Sequence, residues 1–315
     1  MTVAVNRSLR TRFFALPDHR QGLLAVLGAA ILWSTGGLFI KWVDLDALGV
    51  TMWRSLLASI SIAVLMRTGV PNPLRTGRLE WILAVSYALM LVLFVTATKL
   101  TTAANAIFLQ YTAPLYVLVL GRFLLEEPPS GADLACVAVA FGGMALFFVG
   151  RLETDDLWGN VSAVTSGMAF AVFLTLLRRR DCPPEVRPRS MVLGNALLVV
   201  SLLVVNLGRG AGDAFTPDPG DIAGLAFLGI IQIGLAYVLF GFGIAHVQAL
   251  EASLIGMLEP VLNPVWVFLF LGETPGWWAV VGGAVIIAAV TVRTVISERR
   301  RPAVAAEFAV LHSEG

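Results

Sequence analysis

The chain has 315 residues, of which 57% are hydrophobic and only 14% charged, with a mean hydropathy of +0.83. Soluble domains sit near roughly 45–50% apolar and about 25% charged, so the composition excludes an ordinary water-soluble globule and indicates an all-α integral membrane protein. A net charge of +1, with no basic stripe interleaved with aromatics, excludes a nucleic-acid partner. A hydrocarbon core takes roughly 20 apolar residues in a helix. In chain order, ten stretches meet or approach that length: 21–41, 46–66, 79–98, 102–125, 131–149, 157–177, 190–207, 220–243, 249–271 and 276–296. Breakers separate them, among them PNP at 71–73, PP at 128–129 and 183–184, and TPDPG at 216–220. The first stretch has a basic lead but no small-x-small cleavage site, which predicts a retained helix.

Arginine and lysine placement sets an expected orientation. With both termini cytoplasmic, 17 of the 22 basic residues fall inside, including five arginines between Arg178 and Arg189. Lys41, Lys99, Arg151 and Arg209 fall outside, and Arg54 lies within a helix. The two cysteines, Cys136 and Cys182, are isolated and predict neither a disulfide nor a metal site.

The chain also repeats itself. Pro114 stands thirteen residues before Glu127, and Pro260 stands thirteen before Glu273; Pro129 and Pro275 close the two runs, and all three matches share one offset of 146. Five helices per unit is an odd number, so the second unit must enter the bilayer upside down. The predicted organisation is a cytoplasmic segment over 1–20, a first five-helix unit over 21–150, a second, inverted unit over 151–298, and a cytoplasmic tail over 299–315.

These motifs resemble a known family. QYTAPLYVLVLGRFLLEEPPSG at 110–131, its counterpart LEPVLNPVWVFLFLGETPG at 258–276, and MWRSLLA at 52–58 are similar to segments of the drug/metabolite transporter superfamily, in its ten-helix EamA-type branch. The likeness covers about 21–296. It implies a transporter in a bacterial inner membrane and export of amino acids, other metabolites or drugs, without fixing the substrate. The second unit has no arginine equivalent to Arg54, so no symmetric role follows for that charge.

Glu259 is the sharpest candidate. About ten residues into the ninth stretch, it is expected near the midplane, where a carboxylate is costly unless protonated, paired or wet. It could take a proton for coupled transport, hold a substrate amino group, or bond to backbone freed by Pro260. Arg54 could attract a substrate carboxylate, pair with an acid, or snorkel and cap carbonyls. Pro114 and Pro260 each remove a backbone donor and predict paired kinks. Uncharged polar and aromatic side chains are expected to line a cavity: Trp33, Ser34, Tyr87, Gln110, Tyr111, Gln232, Tyr237 and Asn263, with Thr35, Asn105, Ser162, Thr165 and Ser166 nearby. Glu127 and Glu273 are expected to fasten loops, and Gly142–Gly143 and Gly282–Gly283 to allow close helix packing.

The resulting expectation is a secondary active transporter working by alternating access, with protons as a coupling ion and no cofactor or metal. A channel would favour rings of one charge or carbonyl filters, which are not visible. An intramembrane enzyme would need clustered His, Asp or Ser, whereas only three histidines exist, with His19 and His312 placed outside the spans.

Overall fold

The computed structural model describes residues 16–69, 71–101, 103–147, 149, 156–271 and 276–311. At 103–104, 147, 263–264, 267–268, 270–271 and 298–311 the description covers the backbone alone. Among the described residues every regular element is helical. In chain order these are α1 Asp18–Trp33, α2 Gly36–Trp42, α3 Ala47–Leu65, α4 Arg78–Leu100, α5 Ala103–Gln110, α6 Ala113–Leu124, α7 Gly131–Phe147, α8 Leu157–Arg178 and α9 Val186–Gly208. They continue with α10 Pro219–Ala226, a π-helical segment Phe227–Leu235, α11 Ala236–Gly243, α12 Ala249–Gly256, α13 Leu258–Leu271 and α14 Trp277–Leu311.

Among the described residues, eight helical spans are long and apolar enough to cross a bilayer, including Asp18–Trp42, Asn105–Leu124 and Pro219–Gly243, the first two of which contain an interruption. The other two expected stretches differ for identifiable reasons. Gly131–Leu146 is apolar but shorter. The stretch at 249–271 divides into α12 and α13 at Met257, which leaves Pro260 in the first turn of α13, where a proline is tolerated.

The helix ends follow local chemistry. Asp46 accepts from the Gly49 amide at 2.7 Å and Asp156 from the Gly159 amide at 2.9 Å, capping α3 and α8. Apolar residues cover the outside: Val64, Phe123, Trp158 and Val204 are all well exposed, as lipid contact requires. Inside, α4 packs on α8 and α9, α7 on α14, α3 on α9 and the π segment, and α11 on α1. Small residues set how closely these helices approach. A Cβ at Gly143 would stand 3.0 Å from the Gly282 carbonyl, so the expected glycine contact joins α7 to α14, while the neighbouring Gly142 faces open space.

His19 departs from expectation. It lies within α1, is 6% exposed, and its Nε2 sits 3.1 Å from Glu251 Oε2 at the start of α12. Ser297 Oγ donates to the same carboxylate at 3.3 Å, tying α1, α12 and α14 together. His312 lies outside the described residues.

Candidate functional site

Three helix interruptions build the centre. The fourth stretch breaks at Tyr111–Thr112 and the ninth at Met257, and these positions are 146 residues apart. Each interruption precedes its proline by a few residues, so Pro114 and Pro260 fall in the first turn of α6 and α13. A missing N–H costs nothing in a first turn. The carbonyl four residues before Pro114 is that of Gln110, and it presses against Gly167 of α8: a Cβ there would meet the oxygen at 2.5 Å. The first stretch breaks without proline. Ser34 Oγ and Thr35 Oγ1 donate to the carbonyls of Ile31 and Leu32, each at 2.6 Å, and the helix restarts at Gly36.

The interruptions enclose a cavity of about 30 Å³ lined by Trp33, Arg54, Met90, Leu91, Phe94, Gln110, Tyr111, Phe170, Gln232, Ile233, Tyr237 and Glu259. Glu259 begins a half-helix, where the N-terminal dipole favours a carboxylate. Tyr111 Oη, from the opposite interruption, donates to Glu259 Oε2 at 2.6 Å. Arg54 Nη2 donates to Gln232 Oε1 at 2.7 Å. It is 3% exposed, so it neither snorkels nor reaches the surface. Gln232 is delivered by the π-helical segment, a widened turn that frequently marks functional positions. Gln110 Nε2 donates to Ser166 Oγ at 2.8 Å, and Ser166 Oγ donates to the Met90 carbonyl at 2.8 Å, fixing that wall. Trp33 and Tyr237 pack ring to ring at 5.0 Å.

Thus Trp33, Arg54, Gln110, Tyr111, Gln232, Tyr237 and Glu259 come together. Other candidates stand apart. Tyr87 is fully buried one layer out, accepting from Asn195 Nδ2 at 3.2 Å and meeting the Tyr237 ring at 4.9 Å. Ser34 accepts from Trp266 Nε1 at 2.7 Å and serves the α1 break. Asn105 Nδ2 bonds Thr101 Oγ1 and Asn160 Oδ1. Thr165 is exposed and donates to its own helix at Val161. The Asn263 side chain and Glu273 lie outside the described residues. Met90, Phe94, Phe170 and Ile233 were not singled out from sequence, because apolar residues in an apolar span carry no distinguishing mark.

Tyr237 also walls a second cavity of about 340 Å³, which reaches Met191, Arg187 and His246. Polar ties close both ends of the bundle. At one, Arg293 pairs with Asp133 at 2.6 Å and donates to Gln248, while Arg178 donates to the Val247 carbonyl and stands 3.9 Å from Glu127. Burial raises the Glu127 carboxyl above its ordinary value, although Arg178 and Arg180 oppose that. At the other end Arg209 pairs with Asp46 at 2.5 Å. Partial burial works to raise the Asp46 carboxyl, but hydrogen bonds from Arg209 and Gly49 hold it below its ordinary range. No cluster of three or more metal-ligating side chains occurs among the described residues.

The model of the EamA-like transporter family matches residues 20–149 and again 157–294. The chain belongs to the EamA-like transporter family. This EamA-like protein is 26% identical to an uncharacterized transporter of Archaeoglobus fulgidus, over 87% of its own length and 96% of the relative's. It is 27% identical to a probable terminal-alkyne amino-acid exporter of Streptantibioticus cattleyicolor, over 88% of its length and 95% of the relative's. A solved crystal structure shares the fold with a TM-score of 0.71 at 19% identity, covering 89% of this chain and 98% of the other. As a member of this family it is an integral membrane transporter of small molecules.

Proposed function

We propose that this transporter is a secondary active exporter of a small amphipathic metabolite, in the class of amino acids or drug-like solutes, working by alternating access. Its units would be 21–150 and 151–298, two inverted repeats of five spanning helices in a bacterial inner membrane with both termini cytoplasmic. The observation that carries the reading is the pair of helix interruptions 146 residues apart, joined across one cavity by the Tyr111–Glu259 hydrogen bond. Discontinuous helices meeting at a central site are the general means by which transporters expose that site to alternate sides. A free volume of about 30 Å³ is roughly one water's share of the liquid, so a solute passes only if the aromatic walls repack. That favours a carrier over an open channel. The amino-acid exporter among the relatives supports amino acids as a substrate class.

Glu259 is the proposed proton acceptor, since it is the carboxylate lining the cavity. Glu259→Gln should abolish pH-driven uptake into inverted vesicles while substrate exchange persists at raised substrate concentration. Unchanged pH-driven uptake by that variant would sink the coupling role. Cysteines introduced over 181–189 should react only with reagent supplied from the cytoplasm; labelling from outside would reverse the proposed orientation.

A further inference from the structure

Arg54 holds a feature that proton coupling leaves unused. Of its three guanidinium nitrogens only Nη2 has a partner; Nε and Nη1 are buried with none. Arginine stays charged in proteins, and a buried cation with open donors is costly. The indole Nε1 of Trp33, on the same cavity wall, is likewise buried and unpartnered. Glu259 faces the same space. Its Oε2 is taken by Tyr111, while its Oε1 makes no hydrogen bond among the described residues, and no ion pair joins Glu259 to Arg54. A purely structural arginine and glutamate in one low-dielectric cavity gain most by pairing directly. Here each is held back by a neutral neighbour, Gln232 for Arg54 and Tyr111 for Glu259.

We infer that the cavity is a dipolar clamp, in which Arg54 and Trp33 hold the carboxylate of a small zwitterion and Glu259 holds its ammonium group. The inference rests on the cavity being the transport site. Nε and Nη1 lie on opposite edges of the guanidinium, so a carboxylate takes one charge-assisted hydrogen bond from an open nitrogen, and the indole N–H supplies a second donor. Met90, Leu91, Phe94 and Ile233 line the same cavity with apolar surface, which suits an α-amino acid with an uncharged apolar side chain once the walls repack to admit it. Trp33 would act twice, donating its N–H and covering the bound ligand with its ring.

The test uses the purified full chain and four probes that share one apolar body: L-leucine, L-leucinamide, 3-methylbutylamine and 4-methylpentanoate. Ligand-dependent rise in melting temperature reports binding to the folded state. L-Leucine should stabilise at concentrations at least about tenfold below each of the other three, the factor expected when one charged hydrogen-bonding partner is lost. Arg54→Gln should erase the preference for L-leucine over L-leucinamide, and Glu259→Gln the preference for L-leucine over 4-methylpentanoate. If Arg54→Gln does not fold, Trp33→Phe keeps the ring and removes one donor; it should weaken L-leucine while leaving 3-methylbutylamine unchanged. Equal binding of L-leucine and 3-methylbutylamine by the unaltered protein overturns the clamp, as does failure of all four probes to stabilise it. Charge-selective binding without vesicle flux would instead overturn the transport reading and leave the clamp standing.

Discussion

Gly167→Ala tests how the α5–α6 interruption is seated. The new Cβ would stand 2.5 Å from the Gln110 carbonyl oxygen and 3.2 Å from both its carbon and Thr112 Oγ1. Non-bonded heavy atoms meet at roughly 3.5 Å, so α8 and the interruption must part by about 1 Å. The atom in the way is backbone, which cannot swing aside as a side chain can. Overpacking of this kind costs about 1–3 kcal/mol, set against a gain of about 1 kcal/mol for replacing a helix-interior glycine by alanine. Gly142→Ala is the reference, since nothing lies within 4 Å of its added Cβ. Gly167→Ala should therefore fall below Gly142→Ala by about 1–3 kcal/mol in denaturant unfolding of the detergent-solubilised protein. The displacement should also strain the Gln110–Ser166 hydrogen bond of 2.8 Å and lower vesicle uptake. Equal stability of the two variants, with full uptake by both, would refute the claim that the freed carbonyl seats on Gly167.

Removing one partner of the buried Arg293–Asp133 pair, whose side chains are 6% and 11% exposed, should cost about 3–5 kcal/mol. Arg209→Ala at the half-exposed Asp46 pair should cost no more than about 1 kcal/mol; denaturant unfolding ranks the two. Glu127 has its folded pKa raised above 4.5 by burial, so its contribution to stability is full below the unfolded value and is lost as pH rises through the folded one. Glu127→Gln should flatten that part of the stability–pH curve, measured by thermal unfolding between weakly acid and neutral pH. Tyr237→Ala should join the central cavity to the 340 Å³ cavity beside it, and a cysteine at Met191 in that background should become protectable by substrate; protection unchanged from the Tyr237 parent would mean that the ring is no partition.

Much of the fold was legible because proline and charge leave marks. Pro114 and Pro260 located two interruptions to within a few residues, since a missing N–H and a ring clash disfavour a helix interior, although α13 carries Pro264 within its length. The Ser34–Thr35 break carried no such mark: hydroxyls bonding back to their own helix look, in sequence, like any polar pair in a span. The π-helical segment was hidden for a related reason, because FLGIIQIGL reads as continuous apolar helix. Its extra residue per turn is a tertiary decision, taken where Gly229 and Gly234 press onto α3 at Leu57 and Ser61. His19 and Glu251 were missed because each sits at the end of a stretch, where a charged residue reads as interfacial. Only the packing reveals that these ends are buried.

The site itself was legible as a set of residues and illegible as a set of pairs. Tyr111 and Glu259 stand 148 positions apart, and nothing in their spacing says that a phenol from one unit meets a carboxylate from the other. The offset of 146 sets Ala113 against Glu259 and Tyr111 against Met257, so each interruption is polar where its counterpart is apolar. Tyr111, two positions before Ala113, supplies the donor to the Glu259 carboxylate. The proposed repeat thus matches the two interruptions in position, while their side chains differ at the positions that meet in the cavity. Arg54, with no counterpart in the second copy, is a further departure from the repeat on the same cavity wall.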